Sequence, residues 1–398
     1  MGALLAKENI WYVGTQDPNL RVFDIIMHSD WGTSYNAYLV KGSEKTALFE
    51  TSKLEFFGEF LANVREVCDP ASIDYIVVDH TEPDHSGSLE KLLALAPNAT
   101  VLGSATALNF LKQIVNHEFA CRAVTEKDTV DLGGMTLHFL SVPFLHWPDS
   151  MYTYIPEAKA LFTCDSFGCH YADSRVFNDL IEGDFTPAYK YYFDCIIGPF
   201  KRPYMVNALE KIKELDIEFV GNGHGPVLRS NVQKYFDLYA QWCQVPVHET
   251  KRIAIAYVSA YGYTRMLAQA IAQGAGSEGC EVQLFDLVTD DKAAAAAAVE
   301  DADGFLLGSP TLVGDALPPI YEMLLGLNPI IHKGKFAGAF GSYGWSGEAV
   351  PNLVARMQQL KLALPAEGLR VRFKPTGQDL AAAKEYGAAF AKAVKGET

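Results

Sequence analysis

Apolar positions come in short bursts through the first 245 residues and gather into longer, nearly continuous runs after about residue 250. Asn36–Val40, Thr46–Phe49, Tyr75–Asp79 and Leu137–Leu140 have the length of strands. Phe57, Phe60, Leu61, Val64 and Val67 recur at the 3.6-residue period of an amphipathic helix. This alternation predicts a mixed α/β sandwich. The stretch 244–250 is polar and carries Pro246, and the rhythm then changes to regular strand–helix alternation, so a boundary is expected there, with domains 1–249 and 250–398. Arg252–Val258 opens the second part as a run suited to a strand buried on both faces of a parallel sheet. Further strands are expected at 281–287, 303–308, 336–341 and 369–373, with helices between them. The alanine run 293–298 follows Thr289, Asp290 and Asp291 as helix-capping candidates. The pattern is that of an open, doubly wound sheet.

A length of 398 residues exceeds the size at which a single core keeps growing, roughly 250–300 residues, so two domains are expected on length alone. The 33 basic and 48 acidic side chains leave a formal charge of −15. Such acidity argues against nucleic acid or an anionic membrane as partner. Seven scattered cysteines contain no C-x-x-C pair, which fits neither a disulfide framework nor a rubredoxin-type iron site. The start lacks the basic and apolar segments of a secretory signal, and no apolar run has the length of a membrane span. A reducing cytoplasm is the expected location.

The densest chemistry follows the strand at 75–79, where His80, Glu82, Asp84 and His85 fall within six residues. Imidazole nitrogen and carboxylate oxygen both bind divalent first-row metals, and these groups repel one another when packed together without cations. Four ligands cannot complete two metal spheres. Three more candidates stand at apparent strand ends: His146 in Leu-His-Trp-Pro-Asp-Ser, Asp165 after Ala160–Cys164, and His224 in Gly-Asn-Gly-His-Gly-Pro. Each alone reads as an ordinary turn residue; with the first motif they read as a ligand set for two metals. Of the other histidines only His170 is placed for a supporting role, while Trp147, Tyr191 and Tyr192 are pocket or core aromatics.

H-x-E-x-D-H followed by His, Asp and His in this order resembles the metallo-β-lactamase superfamily. Glu82 at the third motif position, where zinc hydrolases usually carry histidine, is the form seen in flavodiiron proteins. A charged, hard oxygen ligand favours redox-active iron over zinc. The resemblance implies a non-haem diiron centre with His80, Glu82 and His146 on one iron, Asp84, His85 and His224 on the other, and Asp165 bridging.

In the second part, Ser259-Ala260-Tyr261-Gly262-Tyr263-Thr264 follows the first strand and leads into a helix expected near Arg265. Hydroxyls, backbone N–H groups and a helix start suit a phosphate, although neither a Walker A loop nor G-x-G-x-x-G is present. Gly308–Gly314, containing Pro310, Thr311, Leu312 and Val313, and Gly341–Glu348, containing Ser342, Tyr343, Gly344, Trp345, Ser346 and Gly347, lie at the carboxyl ends of later strands. Ligands of open α/β sheets bind at that edge. The three loops are similar to the FMN site of flavodoxins, with Ser259 and Thr264 on the phosphate, and Leu312 and Trp345 against the ring. Tyr261 and Tyr263 depart from the small hydroxyl residues of many flavodoxins.

The whole chain therefore resembles a flavodiiron protein: an αββα metallo-β-lactamase-like domain followed by a flavodoxin-like domain. The resemblance implies FMN, two non-haem irons, and reduction of dioxygen to water or of nitric oxide to nitrous oxide. It also implies a head-to-tail homodimer, or a dimer of such dimers, in which the flavin of one subunit serves the metals of the other. With neither a rubredoxin cysteine set nor an appended flavin-reductase segment, an external donor is expected: rubredoxin, another reductase or reduced deazaflavin. The alternatives are a dinuclear zinc hydrolase with a regulatory or docking flavodoxin domain, and an electron carrier using only the second half.

Overall fold

The computed structural model describes residues 2–23, 27–244 and 248–397, and residues 245–247, inside the expected linker, lie outside the described residues. The chain divides into two compact units, Met1–Val245 and Pro246–Thr398.

The first unit contains two large sheets. One is formed by β1 (Leu4–Lys7), β2 (Ile10–Tyr12), β3 (Tyr38–Lys41), β4 (Thr46–Phe49), β5 (Tyr75–Val77), β6 (Thr100–Gly103) and β7 (Cys121–Ala123), paired in that order. The other runs β8 (Thr129–Asp131), β9 (Thr136–Ser141), β10 (Met151–Ile155), β11 (Ala160–Cys164) and β12 (Phe219–Asn222). β11 and β12 are parallel, as are β4, β5 and β6. The sheets face each other across an apolar layer that includes Tyr38, Val40, Phe49, Val77, Phe139 and Phe162. The Phe49 and Phe162 rings stack at 4.0 Å.

Leu39 and Leu48 point the other way, into a second core shared with the helices Phe57–Val67 and Ala105–Val115. A third core, with Tyr189, Ile212 and Tyr239, joins the opposite sheet to the helices Thr186–Tyr192, Val206–Ile212 and Val232–Trp242. The order of layers is αββα. Most successive residues of the central strands are buried because each face has its own apolar partner. The expected strand from Asn36 begins instead at Tyr38. Asn36 Nδ2 donates to Asn222 Oδ1 at 3.2 Å and to the Gly225 carbonyl at 3.0 Å, so its side chain holds a loop.

The second unit is a five-stranded parallel sheet: β13 (Arg252–Tyr257), β14 (Glu281–Asp286), β15 (Gly304–Gly308), β16 (Phe336–Tyr343) and β17 (Leu369–Arg372). Its spatial order is β14-β13-β15-β16-β17, that of a flavodoxin-like sheet. Ile253, Ile255 and Tyr257 enter one core while Ala254, Ala256 and Val258 enter the other, which explains the uninterrupted apolar run. Asp291 Oδ1 accepts the Ala293 N–H at 2.9 Å and caps the alanine-rich helix Lys292–Asp301. Among the described residues no helix is long and apolar enough to cross a membrane.

The helices Tyr263–Ser277 and Gly377–Lys395 cross where Gly274 and Gly387 face the opposite backbone. A Cβ on Gly274 would collide with the Lys384 carbonyl oxygen, and one on Gly387 with that of Ile271. Gly274→Ala is expected to destabilise this unit by about 1–3 kcal/mol through forced separation of the helices. Thermal unfolding followed by flavin release measures it; an unchanged midpoint would contradict the close crossing.

Candidate metal centre and cofactor cleft

All seven predicted ligands lie beyond strand ends of the first unit. His80 follows β5, Glu82 caps the short helix Pro83–Ser86, and that helix carries Asp84 and His85. His146 lies between β9 and β10, Asp165 immediately follows β11, and His224 lies just past β12. The parallel pairing of β11 with β12 puts Asp165 and His224 at the same sheet edge. Cys164 and Phe167, on either side of Asp165, adopt φ of 47° and 64°, so the chain leaves the ladder abruptly there.

The donors fall into two groups, His80, Glu82, His146 and Asp165, and Asp84, His85 and His224. Asp165 belongs to both by distance. Its Oδ2 is 3.1 Å from His146 Nε2 and 3.4 Å from His80 Nε2, while its Oδ1 is 3.0 Å from His85 Nε2 and 3.4 Å from His224 Nε2. Glu82 Oε2 lies 3.0 Å from His146 Nε2 and 3.3 Å from His80 Nε2. Asp84 Oδ2 is 3.1 Å from His224 Nε2 and 3.5 Å from His85 Nε2. All four imidazoles thus turn Nε2 inward.

The electrostatics require positive charge. Burial opposes ionisation of Asp165, yet His85 and His146 beside it hold its carboxyl well below the usual range. Burial likewise opposes a charged His146, but hydrogen bonds with Asp165 and Glu82 push it up to about 9. Without metal, protons on imidazoles do the neutralising. Both oxygens of Asp84 are buried without a hydrogen bond, although two imidazole nitrogens stand close by. A cation between them satisfies both sides, so the donor set fits a pair of metal ions. A third group, His85, Cys164 and Asp165, adds a thiol the sequence reading did not single out. Burial pushes that thiol well above its ordinary range, so it is neutral.

His170 stands beside the cluster, its ring 5.0 Å from His224, with Nδ1 2.9 Å from Thr33 Oγ1. Burial drives it well below the usual imidazole range, so it is an uncharged neighbour. Trp147 lies edge-on to His80 at 5.2 Å and Tyr192 packs 6.1 Å from His224, whereas Tyr191 is partly exposed to solvent. His28, His117, His138, His248 and His332 lie in neither donor group. Asp149 and Phe23, both at the cluster, went without a role in the sequence reading. Asp149 was legible only as a polar residue in the His146 loop, and Phe23 reaches its place by tertiary packing.

In the second unit a cleft of about 220 Å³ opens at the carboxyl edge, walled by Tyr261, Tyr263, Pro310, Thr311, Leu312, Val313, Ser342, Tyr343, Gly344, Trp345 and Ser346. Gly314 and Phe373 complete the wall. Phe373, just past β17, was not singled out because its place depends on the ring packing against Gly344. Trp345 and Val313 are almost wholly exposed, and Tyr261 largely so, an unusual apolar rim for a sheet edge. Ser259, Ala260, Gly262, Thr264 and Gly347 do not line it. Ser259 Oγ accepts the Arg265 N–H at 3.2 Å, and the buried Thr264 hydroxyl lies 2.9 Å from Ser342 Oγ. Gly262 has φ of 83° with open space where a side chain would stand, so the helix start requires glycine for its dihedral. That helix begins at Tyr263, two residues before the expected start.

A paired histidine–carboxylate centre in an αββα sandwich, joined to a flavodoxin-like sheet, defines a metalloflavoprotein. Residues 33–225 match the ODP family of β-lactamases, and residues 255–387 match flavodoxin. The chain is 42% identical to the flavo-diiron protein FprA2 of Clostridium acetobutylicum over 99% of this chain and 100% of that one. It is 36% identical to the nitric oxide reductase of Moorella thermoacetica over 96% of each. The solved rubredoxin oxygen:oxidoreductase of Desulfovibrio gigas superposes with a TM-score of 0.70 at 30% identity, covering 99% of both chains. The chain belongs to the flavo-diiron protein family.

Because Asp165 divides its oxygens between the two groups, Asp165→Ala is expected to abolish uptake of both metal ions. Asp84→Ala should abolish one. Metal analysis of the purified variants distinguishes them, and loss of a single ion from Asp165→Ala would rule out a shared carboxylate.

Proposed function

We propose that this chain is a flavodiiron oxidoreductase that reduces dioxygen to water, nitric oxide to nitrous oxide, or both. The division of Asp165 between two histidine–carboxylate groups carries the reading. His80, Glu82 and His146 hold one iron, Asp84, His85 and His224 the other, and Asp165 spans them. The first unit, Met1–Val245, is the diiron domain and the second, Pro246–Thr398, the FMN domain. The names of the relatives, a nitric oxide reductase and a rubredoxin oxygen:oxidoreductase, support both gases as substrates. The zinc-hydrolase alternative is not favoured.

When bound, the iron pair and FMN supply the electrons and the open coordination positions that such a reduction needs. The chain supplies spacing and shielding. The four inward Nε2 atoms and three carboxylates keep two cations at fixed separation, while the Trp147, Tyr192 and Phe23 rings restrict water near them. In the second unit the start of the Tyr263 helix and Ser259 receive the FMN phosphate, with Ala260, Gly262 and Thr264 shaping that loop. Leu312 and Trp345 would cover the isoalloxazine ring, and the end of β16 with the loop beyond it, residues 342–347, would frame its edge. The protein works in the cytoplasm, with an external donor such as rubredoxin, a reductase or reduced deazaflavin, and with neither nucleic acid nor membrane as partner.

Anaerobic turnover with each gas and a chemically reduced donor tests the reading. Consumption of at least one gas is expected from iron-loaded protein. Glu82→His should lose iron and activity together, and His85→Asn should lose less. Thioester or phosphodiester hydrolysis by stoichiometric zinc protein would overturn the assignment.

The active unit is a head-to-tail homodimer, alone or paired into a larger assembly. Mixing a Glu82 variant with a flavin-loop variant under subunit exchange should restore up to a quarter of wild-type activity, because the intact flavin loops of one subunit would serve the intact metal donors of the other. Exchange without recovery would show that each subunit works alone.

A further inference from the structure

The imidazoles of the centre are held from behind in different ways. His224 Nδ1 lies 2.6 Å from the Ser34 carbonyl oxygen. His85 Nδ1 is buried with no hydrogen-bond partner. Among the described residues, His80 Nδ1 is the one rear nitrogen of the four imidazoles that faces a carboxylate, 3.2 Å from Asp149 Oδ2.

Asp149 is completely buried, and the same Oδ2 accepts the Thr81 N–H at 2.8 Å and the Thr81 hydroxyl at 2.9 Å. Three donors therefore fix one carboxylate oxygen. The Ser104 hydroxyl donates to the Asp149 carbonyl oxygen at 2.8 Å and anchors the backbone independently of the carboxylate. Asp149 also lies three residues after His146, so one loop supplies a ligand and the support of a second ligand.

A neutral imidazole carries one N–H. Facing an acceptor-only carboxylate, His80 must place that hydrogen on Nδ1, which leaves the Nε2 lone pair directed at the metal side. The negative charge behind the ring also strengthens it as a donor. Neither His224 Nδ1, on a backbone carbonyl, nor His85 Nδ1, without a hydrogen-bond partner, receives that charge.

Resting on the dinuclear reading above, we infer that Asp149 is a positioning residue that makes the two metal positions unequal. It acts through His80 on the position shared with Glu82 and His146. That position binds its ion more tightly than the one formed by Asp84, His85 and His224.

Anaerobic titration of full-length, FMN-replete, metal-stripped protein with Co²⁺ tests this, with Fe²⁺ as a second probe and absorption as the readout. Wild type should take up two ions with unequal affinities. Asp149→Ala and the isosteric Asp149→Asn should weaken the tighter site by about 10- to 100-fold and leave the other unchanged. Ser104→Ala, which removes the backbone anchor and the N-cap of the helix Ala105–Val115 but leaves the Asp149 carboxylate in place, should preserve both affinities. Circular dichroism and flavin content establish that each variant folds, and Asp149→Asn carries the test if Asp149→Ala does not.

Equal wild-type affinities would overturn the proposal. So would wild-type affinities in Asp149→Asn, or equal weakening of both positions. A wild-type protein that binds two ions but has no reductase activity would refute the functional reading and leave this comparison decisive. A wild type that binds no ion would end both.

Discussion

Glu82, Asp84 and Asp165 are crowded with four imidazoles, and their ion pairs among the described residues are with histidines alone. No lysine or arginine shares the burden. Burying three carboxylates this way is unfavourable unless cations enter, whether as protons on imidazole or as metal ions. The surrounding fold must hold mutually repelling groups in place until that charge arrives. Two facing sheets with an apolar layer between them, closed on both outsides by helices, provide a frame that does not relax around the charge.

Both units place their chemistry at strand ends. A residue inside the ladder has its backbone committed and its side chain aimed into a core; a residue one to three positions beyond the strand is free of both constraints. His80, Asp165 and His224 occupy such positions in the first unit, and the loops after β13, β15 and β16 do so in the second. Left-handed backbone at Cys164 and Phe167, and at Gly262 and Val313, marks where the chain turns away from the sheet. The candidate metal donors are buried or half-buried because charge must be concentrated and shielded. The cofactor cleft is open and rimmed with exposed aromatic and aliphatic side chains because a planar ring must enter it.

Support around the metal set is uneven. His80 leans on a buried carboxylate, His224 on a backbone carbonyl, and His85 on nothing within hydrogen-bonding reach. Aromatic packing is uneven as well: Trp147 lies by His80, while Phe23, Tyr35, Tyr192 and His170 surround His224. Two positions built from similar ligands therefore differ in charge and polarity behind those ligands.

The seven clustered histidines and carboxylates were legible in the chain as candidate donors because their chemistry makes them conspicuous: ionisable residues at the ends of apolar runs have few other reasons to gather. The β13 run was legible because a parallel strand between two cores must be apolar throughout. The Asn36 strand was misjudged at its start because a polar side chain tied to Asn222, 186 positions away, looks no different in sequence from one in a strand. Asp149 and Phe373 were missed for the same reason, since their roles arise from contacts with distant elements. Sequence by itself determined the ligand types, the change of rhythm near residue 250 and the helix and strand periods, which depend on local spacing and side-chain chemistry. Only tertiary structure decided that Asp165 splits its oxygens between two groups, that His80 has a carboxylate behind it, and which loops wall the cleft. Those depend on the directions of side chains converging from remote strands, and no local pattern encodes such directions.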